Sequence, residues 1–231
     1  MAAGSVALEL EQRVVLLAGV EGAAGESIAR AFADSGAWVV VHSCQDLEGT
    51  KRIVDRVRST GGRAMPAIGM TDDAASAWAL TERVVVEWAQ LDVLVCDVAG
   101  LATQAGRTAV TASSAPPEVG YLTAEAINRM RTSGGGRIIV LLPPAANPPS
   151  DCDVSPEPNV AWIRDLAATA SADRVLVNAV QCAECVAPAD LARMLLFLGS
   201  AWNTAVSGSC LTLHGPNCGG TTAHVSTSAG R

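Results

Sequence analysis

Residues 13–25 read RVVLLAGVEGAAG: Arg13-Val-Val-Leu-Leu-Ala18, then Gly19-Val-Glu-Gly-Ala-Ala-Gly25. The first six form a short, almost wholly apolar run, the pattern of a strand covered on both faces. A glycine-rich turn follows at Gly19–Gly25. The next residues, 26–35, place Ile28, Ala29, Ala31 and Phe32 on one helical face, and Gly36 stands where a helix-ending glycine is expected. Strand, glycine turn and helix in this order open a parallel βαβ unit.

The same alternation continues outward. Strands are expected at 38–41, 64–68, 93–96, 137–142, 174–180 and 210–213. Helices are expected at 47–60, 72–89, 118–131, 160–170 and 188–198. Thr71 or Asp72 is the expected cap of the third helix. Residues 101–117 are small and polar and read as a loop. Residues 145–158 hold Pro148, Pro149, Pro156 and Pro158 and cannot be regular. The stretch 215–231 is rich in Gly, Thr and Ser and reads as a mobile tail. Strands alternating with helices predict one α/β domain over residues 1–231: a Rossmann-type, doubly wound parallel sheet with helices on both faces.

Composition narrows the function classes. The 231 residues are 49% hydrophobic and 17% charged, enough for a packed core. The net charge of -7 and the lack of any Lys/Arg cluster argue against a nucleic-acid surface. No stretch reaches the length of a membrane span. The first residues carry Glu9 and Glu11 and no basic region, so a signal peptide is not expected. Seven cysteines, an odd number, read as reduced thiols of a cytoplasmic protein. Cys182 and Cys185 form one CxxC; without a second ligand pair it reads as two ordinary thiols rather than a redox or zinc site, and no metal site is expected.

The landmarks AGVEGAAG (18–25), WVVVHS (38–43), LDVLVCDVAG (91–100), GGGRIIVLL (134–142), RVLVNAV (174–180) and LARMLLFLGS (191–200) resemble the short-chain dehydrogenase/reductase (SDR) family over nearly the whole chain. The resemblance implies an NAD(P)-dependent oxidoreductase, but most of its functional positions depart from the family pattern. The family's TGxxxGxG nucleotide loop falls on Ala18, Gly19, Ala23 and Gly25. Ala23 puts a methyl group where backbone should approach pyrophosphate, and Glu21 adds a negative charge there. Gly22 compensates in part if the loop shifts register. Gly19, Gly22 and Gly25 are thus the candidate cofactor-binding residues of a degenerate loop, with a helix-start turn kept for packing as the other reading. The ribose-binding acid after the second strand is Ser43. The adenine-contacting Asp falls on Gly69, and the NNAG stretch on Asp97–Gly100 or one residue earlier.

Family catalysis uses a Tyr lowered in pKa by a Lys one helical turn on, with a Ser orienting the carbonyl. This chain has one tyrosine, Tyr121, and one lysine, Lys51, far apart in sequence; four residues after Tyr121 stands Glu125. The Tyr and Lys positions fall near Cys152 and Pro156, the Ser on Pro143, and the helical Asn near Ala115. The lid that follows the sixth strand is cut to residues 181–187, which leaves little to exclude water. Among replacement candidates, His42, His214 and His224 form no diagnostic spacing. Cys152 lies between Asp151 and Asp153, which raise rather than lower a thiol pKa. No catalytic residue is assigned.

The expectation is therefore a non-catalytic subunit of a hetero-oligomeric SDR-type hydroxyacyl-CoA or ketoacyl dehydrogenase, with no cofactor of its own. NAD(H) or NADP(H) is expected in a catalytic SDR partner chain, within a heterotetramer. Heteromeric 2-(hydroxybenzyl)succinyl-CoA dehydrogenase of anaerobic toluene degradation is similar in type, its smaller chain having a degenerate site. The expected interface uses the helices at 118–131 and 160–170, with Trp162, Ala161, Ala168 and Thr169 facing the partner; core packing is the other reading of Trp162. An active NAD(P)-dependent oxidoreductase with atypical residues and a nucleotide-sensing Rossmann protein are the alternatives.

Overall fold

A computed structural model describes residues 9–106, 115–143, 158–182 and 186–214, with 158–160 described by backbone alone. Each apolar run becomes a strand: β1 (Val14–Ala18), β2 (Trp38–Ser43), β3 (Arg63–Ile68), β4 (Val93–Asp97), β5 (Gly136–Leu142), β6 (Val175–Cys182) and β7 (Cys210–Leu213). Between them run α1 (Gly22–Asp34), α2 (Leu47–Ser59), α3 (Ala74–Trp88), α4 (Val98–Gln104), α5 (Pro117–Thr132), α6 (Pro158–Ser171) and α7 (Pro188–Gly199). The strands make one parallel sheet in the order β3-β2-β1-β4-β5-β6-β7. This is the expected doubly wound Rossmann architecture.

Strand alternation sends successive side chains to opposite faces, and each face has its own core. Val15, Leu17, Val39 and Val95 pack under Ile28 and Phe32 of α1, Val57 of α2 and Leu195 of α7. Leu16, Val40, Leu94 and Ile138 pack under Val84 of α3, Met130 of α5 and Ile163 of α6. The central strands are buried along their length, which is why they read as continuous apolar runs rather than alternating ones.

Several expected boundaries move, each for a local reason. The third helix is capped by Asp73, whose carboxylate accepts the Ser76 N–H at 2.7 Å, not by Thr71 or Asp72. The second strand runs on through His42 and Ser43 because both still pair with β3. α1 begins at Gly22, four positions earlier than expected, so most of the glycine turn is the first turn of a helix. The expected loop from Leu101 is corrected most. Residues 98–104 are helical because Asp97 caps them, its carboxylate accepting the Ala99 N–H at 3.0 Å and the Gly100 N–H at 3.2 Å. Val98, Leu101 and Ala102, spaced i, i+3, i+4, form its buried stripe. The stretches around Pro148–Pro156 and 215–231, with Cys152, Pro156, Cys185 and His224, lie outside the described residues.

Candidate functional site

In an open parallel sheet, ligands bind outside the carboxyl ends of the strands where the order reverses, here between β1 and β4. The chain's own residues meet at that place. Gly19 follows β1 with φ +75°, a left-handed conformation that favours glycine. A Cβ there would lie 2.8 Å from Leu101 Cγ and 2.9 Å from the Leu101 nitrogen. A Cβ on Gly100 would lie 2.0 Å from the Gly19 carbonyl oxygen. The first turn of α4 therefore sits directly on the glycine loop. Gly25 is needed for packing too: its Cβ would fall 2.7 Å from the Val20 carbonyl oxygen. Gly22 starts α1 with φ +62° and open space beside it.

From there α4 runs toward the end of β2, and its last residue, Gln104, bridges the two loops. Its Oε1 accepts the Cys44 N–H at 2.7 Å, and its Nε2 donates to Glu21 Oε1 at 2.5 Å. The Gln104 backbone carbonyl accepts from Gln45 Nε2 at 3.2 Å. Glu21 also accepts from Ser43 Oγ at 3.2 Å. Ser43 Oγ in turn accepts the Asp46 N–H at 3.0 Å, and Asp46 caps α2 through Gly49. The hydroxyl at the ribose-acid position is thus committed to the local turn. Glu21, expected near a pyrophosphate, is drawn sideways toward β2.

The other family positions serve structure as well. Gly69 follows β3, and its carbonyl accepts Nε2–H of the fully buried His42 at 2.8 Å. Burial pushes the His42 pKa down from 6.5 to about 4, against a smaller upward effect of that hydrogen bond, so the ring is neutral at neutral pH. Pro143 follows β5 and offers no hydroxyl; its carbonyl accepts from Gln181 Nε2 at 2.9 Å, tying β5 to β6. Asp97 ends β4. Burial raises its carboxyl pKa, against the two capping N–H bonds. Thiols near this edge are protonated at neutral pH: burial, then nearby carboxylates, push Cys44 and Cys182 up to about 11, and burial raises Cys96 as well.

Tyr121 lies exposed on α5, and Lys51 lies on α2 paired with Glu48 at 3.0 Å. Those helices pack on opposite faces of the sheet, so the fold keeps the two apart. On α6, Ala161, Ala168 and Thr169 are exposed, while Trp162 is half-buried and packs on the core beneath it. Ala115 precedes α5 at partial exposure, and His214 is exposed beyond β7.

An open groove of about 650 Å³ lies between α1 and α2, beyond Glu21. Glu21, Glu26, Asp46 and Asp55 line it against Arg52 and Arg56, a surplus of carboxylates that disfavours a pyrophosphate. These carboxylates outnumber the two guanidinium groups in the groove. The first turn of α4 lies against Gly19, Ala23 stands in the loop, and the adjoining groove carries acid. Among the described residues no group of three or more His, Cys, Asp or Glu could hold a metal ion, and no helix is long and apolar enough to cross a membrane.

No family model matches the chain. It is 33% identical over 87 residues to an uncharacterized oxidoreductase of Methylorubrum extorquens, covering 38% of this chain and 35% of that protein. It is 29% identical over 92 residues to a probable tetrahydroxynaphthalene reductase of Zymoseptoria tritici, covering 40% and 34%. The matched stretch spans about a third of each of these relatives. Among solved structures, a hydroxysteroid dehydrogenase of Escherichia coli superposes with TM-score 0.71 at 20% identity, over 91% of this chain and 98% of that one. A short-chain type dehydrogenase/reductase of Mycobacterium marinum superposes with TM-score 0.73 at 18% identity, over 90% and 95%. The chain thus carries the fold of the short-chain dehydrogenases/reductases, and its partial sequence matches are to oxidoreductases.

Proposed function

We propose that this chain is a non-catalytic member of the SDR oxidoreductases that acts as a structural subunit of a hetero-oligomeric dehydrogenase. The cofactor and the catalytic Tyr–Lys pair then belong to an intact SDR partner. The observation that carries this reading is the crossing of the switch-point crevice by α4, from Gly19 to Cys44, in a chain whose only tyrosine and lysine lie on opposite sheet faces. Among the described residues, Ser43, Gly69, Asp97, Gly100 and Pro143 are committed to capping, packing or internal hydrogen bonds. What remains for function is surface, and the exposed small residues of α6, Ala161, Ala168 and Thr169, leave room for close helix–helix approach. A partner acting on hydroxyacyl or ketoacyl thioesters is the narrower form of the proposal.

The test is the native mass and composition of the protein purified from its source. A second SDR chain bearing YxxxK, present in fixed ratio, is the expected result. A lone chain or a homo-oligomer contradicts it. Ala168→Arg, at an exposed site on α6, is expected to split the complex while leaving this chain folded; an unchanged native mass for that variant rejects α6 as the contact.

One observation favours a second reading, an oxidoreductase with atypical residues. Asp97 stands at the carboxyl edge of the sheet with its pKa raised by burial, as acid–base groups often are. Turnover by the isolated chain that Asp97→Asn abolishes would establish that reading.

A further inference from the structure

The amino edge of the sheet, opposite the switch-point crevice, carries arginines at its strand starts. Arg13 precedes β1, Arg137 follows Gly136 at the start of β5, and Arg174 precedes β6, where its carbonyl accepts the Gly136 N–H at 3.3 Å. β4 lies between β1 and β5, and strands are ~4.8 Å apart, so the three arginines span about 14 Å of one edge. Arg13 and Arg137 stand two residues before Val15 and Ile139, which pack on the α1 and α7 face, so both point to that face. Arg13 is engaged by Asp92. Arg137 is ion-paired to no carboxylate among the described residues: its Nη1 donates to the adjacent Gly136 carbonyl at 3.2 Å, and its buried Nε has no partner. Burial, then the nearby Arg13 charge, work against its charged form. Arg174 is exposed and held at φ +57°, a left-handed conformation that glycine takes without strain. Glu9, Glu11 and Asp173 are neighbours in sequence, but none forms an ion pair with any of the three. In a chain of net charge -7 this row is a local surplus of positive charge.

We propose that this edge docks an extended acidic segment of a partner protein, with carboxylates at alternate positions that meet Arg13, Arg137 and Arg174 in turn. A guanidinium presents parallel N–H donors that match a planar carboxylate, and such a contact would supply the partner that Arg137 lacks. Extended chain rises ~3.4 Å per residue, so four residues cover the row. Arg13 and Arg174 are exposed, which makes the row an open surface that suits a segment lying across it. The uncharged residues between the acids pass Asp92 and Asp173 without repulsion. A nucleic-acid strand, charged at each unit, has no such positions and is disfavoured. The inference goes beyond the subunit reading, whose contact is α6, and either can fail without the other.

The test uses the full chain and a fluorescein-labelled peptide of alternating glutamate and serine, read by anisotropy. Controls are the same peptide with glutamine for glutamate and a labelled oligothymidylate. The glutamate peptide is expected to bind saturably, at least about tenfold more tightly than either control, and Arg137→Gln and Arg174→Gly are each expected to weaken it by about tenfold, the factor for one lost charge-assisted contact. Arg174→Gly relieves the left-handed strain and is expected not to lower the unfolding midpoint, so its weaker binding is no folding defect. Lys51→Gln, near the start of α2 at the opposite edge, is expected to leave affinity unchanged. Equal binding of the glutamate and glutamine peptides overturns the proposal. So does tighter binding of the oligothymidylate, unaltered affinity in both arginine variants, or an equal loss in Lys51→Gln.

Discussion

β4 carries a carboxylate at each end of the sheet, and the two are used differently. Asp92, just before the strand, is buried and accepts from Arg13 at 2.8 Å, the Val14 N–H at 2.7 Å and Gln90 at 2.8 Å. It pins the start of β1 to the start of β4. Asp97, at the other end, accepts from the first N–H groups of the helix it caps, and burial works against its charge. In parallel α/β sheets the carboxyl edge carries chemistry and the amino edge stability. Here the carboxyl edge carries structural contacts as well: His42 donates to Gly69, Pro143 accepts from Gln181, Asp97 caps α4, and Gln104 joins the loops after β1 and β2.

If both edges are structural, substitutions at both must cost stability, in proportion to what each group holds. The largest loss is expected for Asp92→Ala, which strands the buried Val14 N–H and unpairs Arg13: about 3 kcal/mol, read as a lower midpoint of denaturant unfolding. A loss under about 1 kcal/mol would show that the amino edge is not the anchor.

His42 gives a pH-dependent test at the carboxyl edge. Its folded pKa, about 4, lies below the ordinary 6.5, so the unfolded chain binds the extra proton between those values. Stability from this group is complete above pH 6.5 and is lost as pH falls toward 4. The loss is about 3 kcal/mol by pH 4, one pKa unit being worth about 1.4 kcal/mol. The difference in unfolding free energy between wild type and His42→Gln should therefore change across that window and stay flat above it. A parallel pair of curves would place a solvated, ordinary histidine at this position.

Asp97→Ala is expected to cost less, about 1 kcal/mol for a lost helix cap, because removing a poorly solvated carboxylate returns part of the loss. Hydrogen exchange should show the effect confined to α4. The smallest effect is expected at the single tyrosine, the residue type that family chemistry uses as its acid. Tyr121→Phe, on an exposed side chain, should change stability by less than about 0.5 kcal/mol. It should leave the activity of any complex containing this chain untouched.

Legibility in the sequence followed how local each feature is. The seven strands were readable because buried strands must be apolar along their length, as in VVLLA, and β7 keeps the bounds read from sequence, Cys210–Leu213. The lack of a YxxxK pair needed only a count of residues. α4 was not legible as a helix, although Asp97 followed by Val98, Leu101 and Ala102 is a cap and a buried stripe. The run is seven residues long and has a glycine at its third position, too short and too weak a helix former for a clear periodic signal. Gln104 gave no signal at all. Its role arises only because the β1 and β2 loops, far off in sequence, come within reach of its carboxamide. Glu21 was noticed as a charge beside the nucleotide loop, but its turn toward Ser43 depends on the same tertiary contact.

The account stands most directly on what the chain does alone with a nicotinamide cofactor. The chain purified by itself should be titrated with NADH and with NADPH, following cofactor fluorescence and then oxidation in the presence of ketone and acyl-thioester substrates. The account expects no saturable binding and no oxidation above the protein-free rate. Saturable binding followed by stoichiometric or catalytic oxidation would contradict it and return the carboxyl edge of the sheet to chemistry.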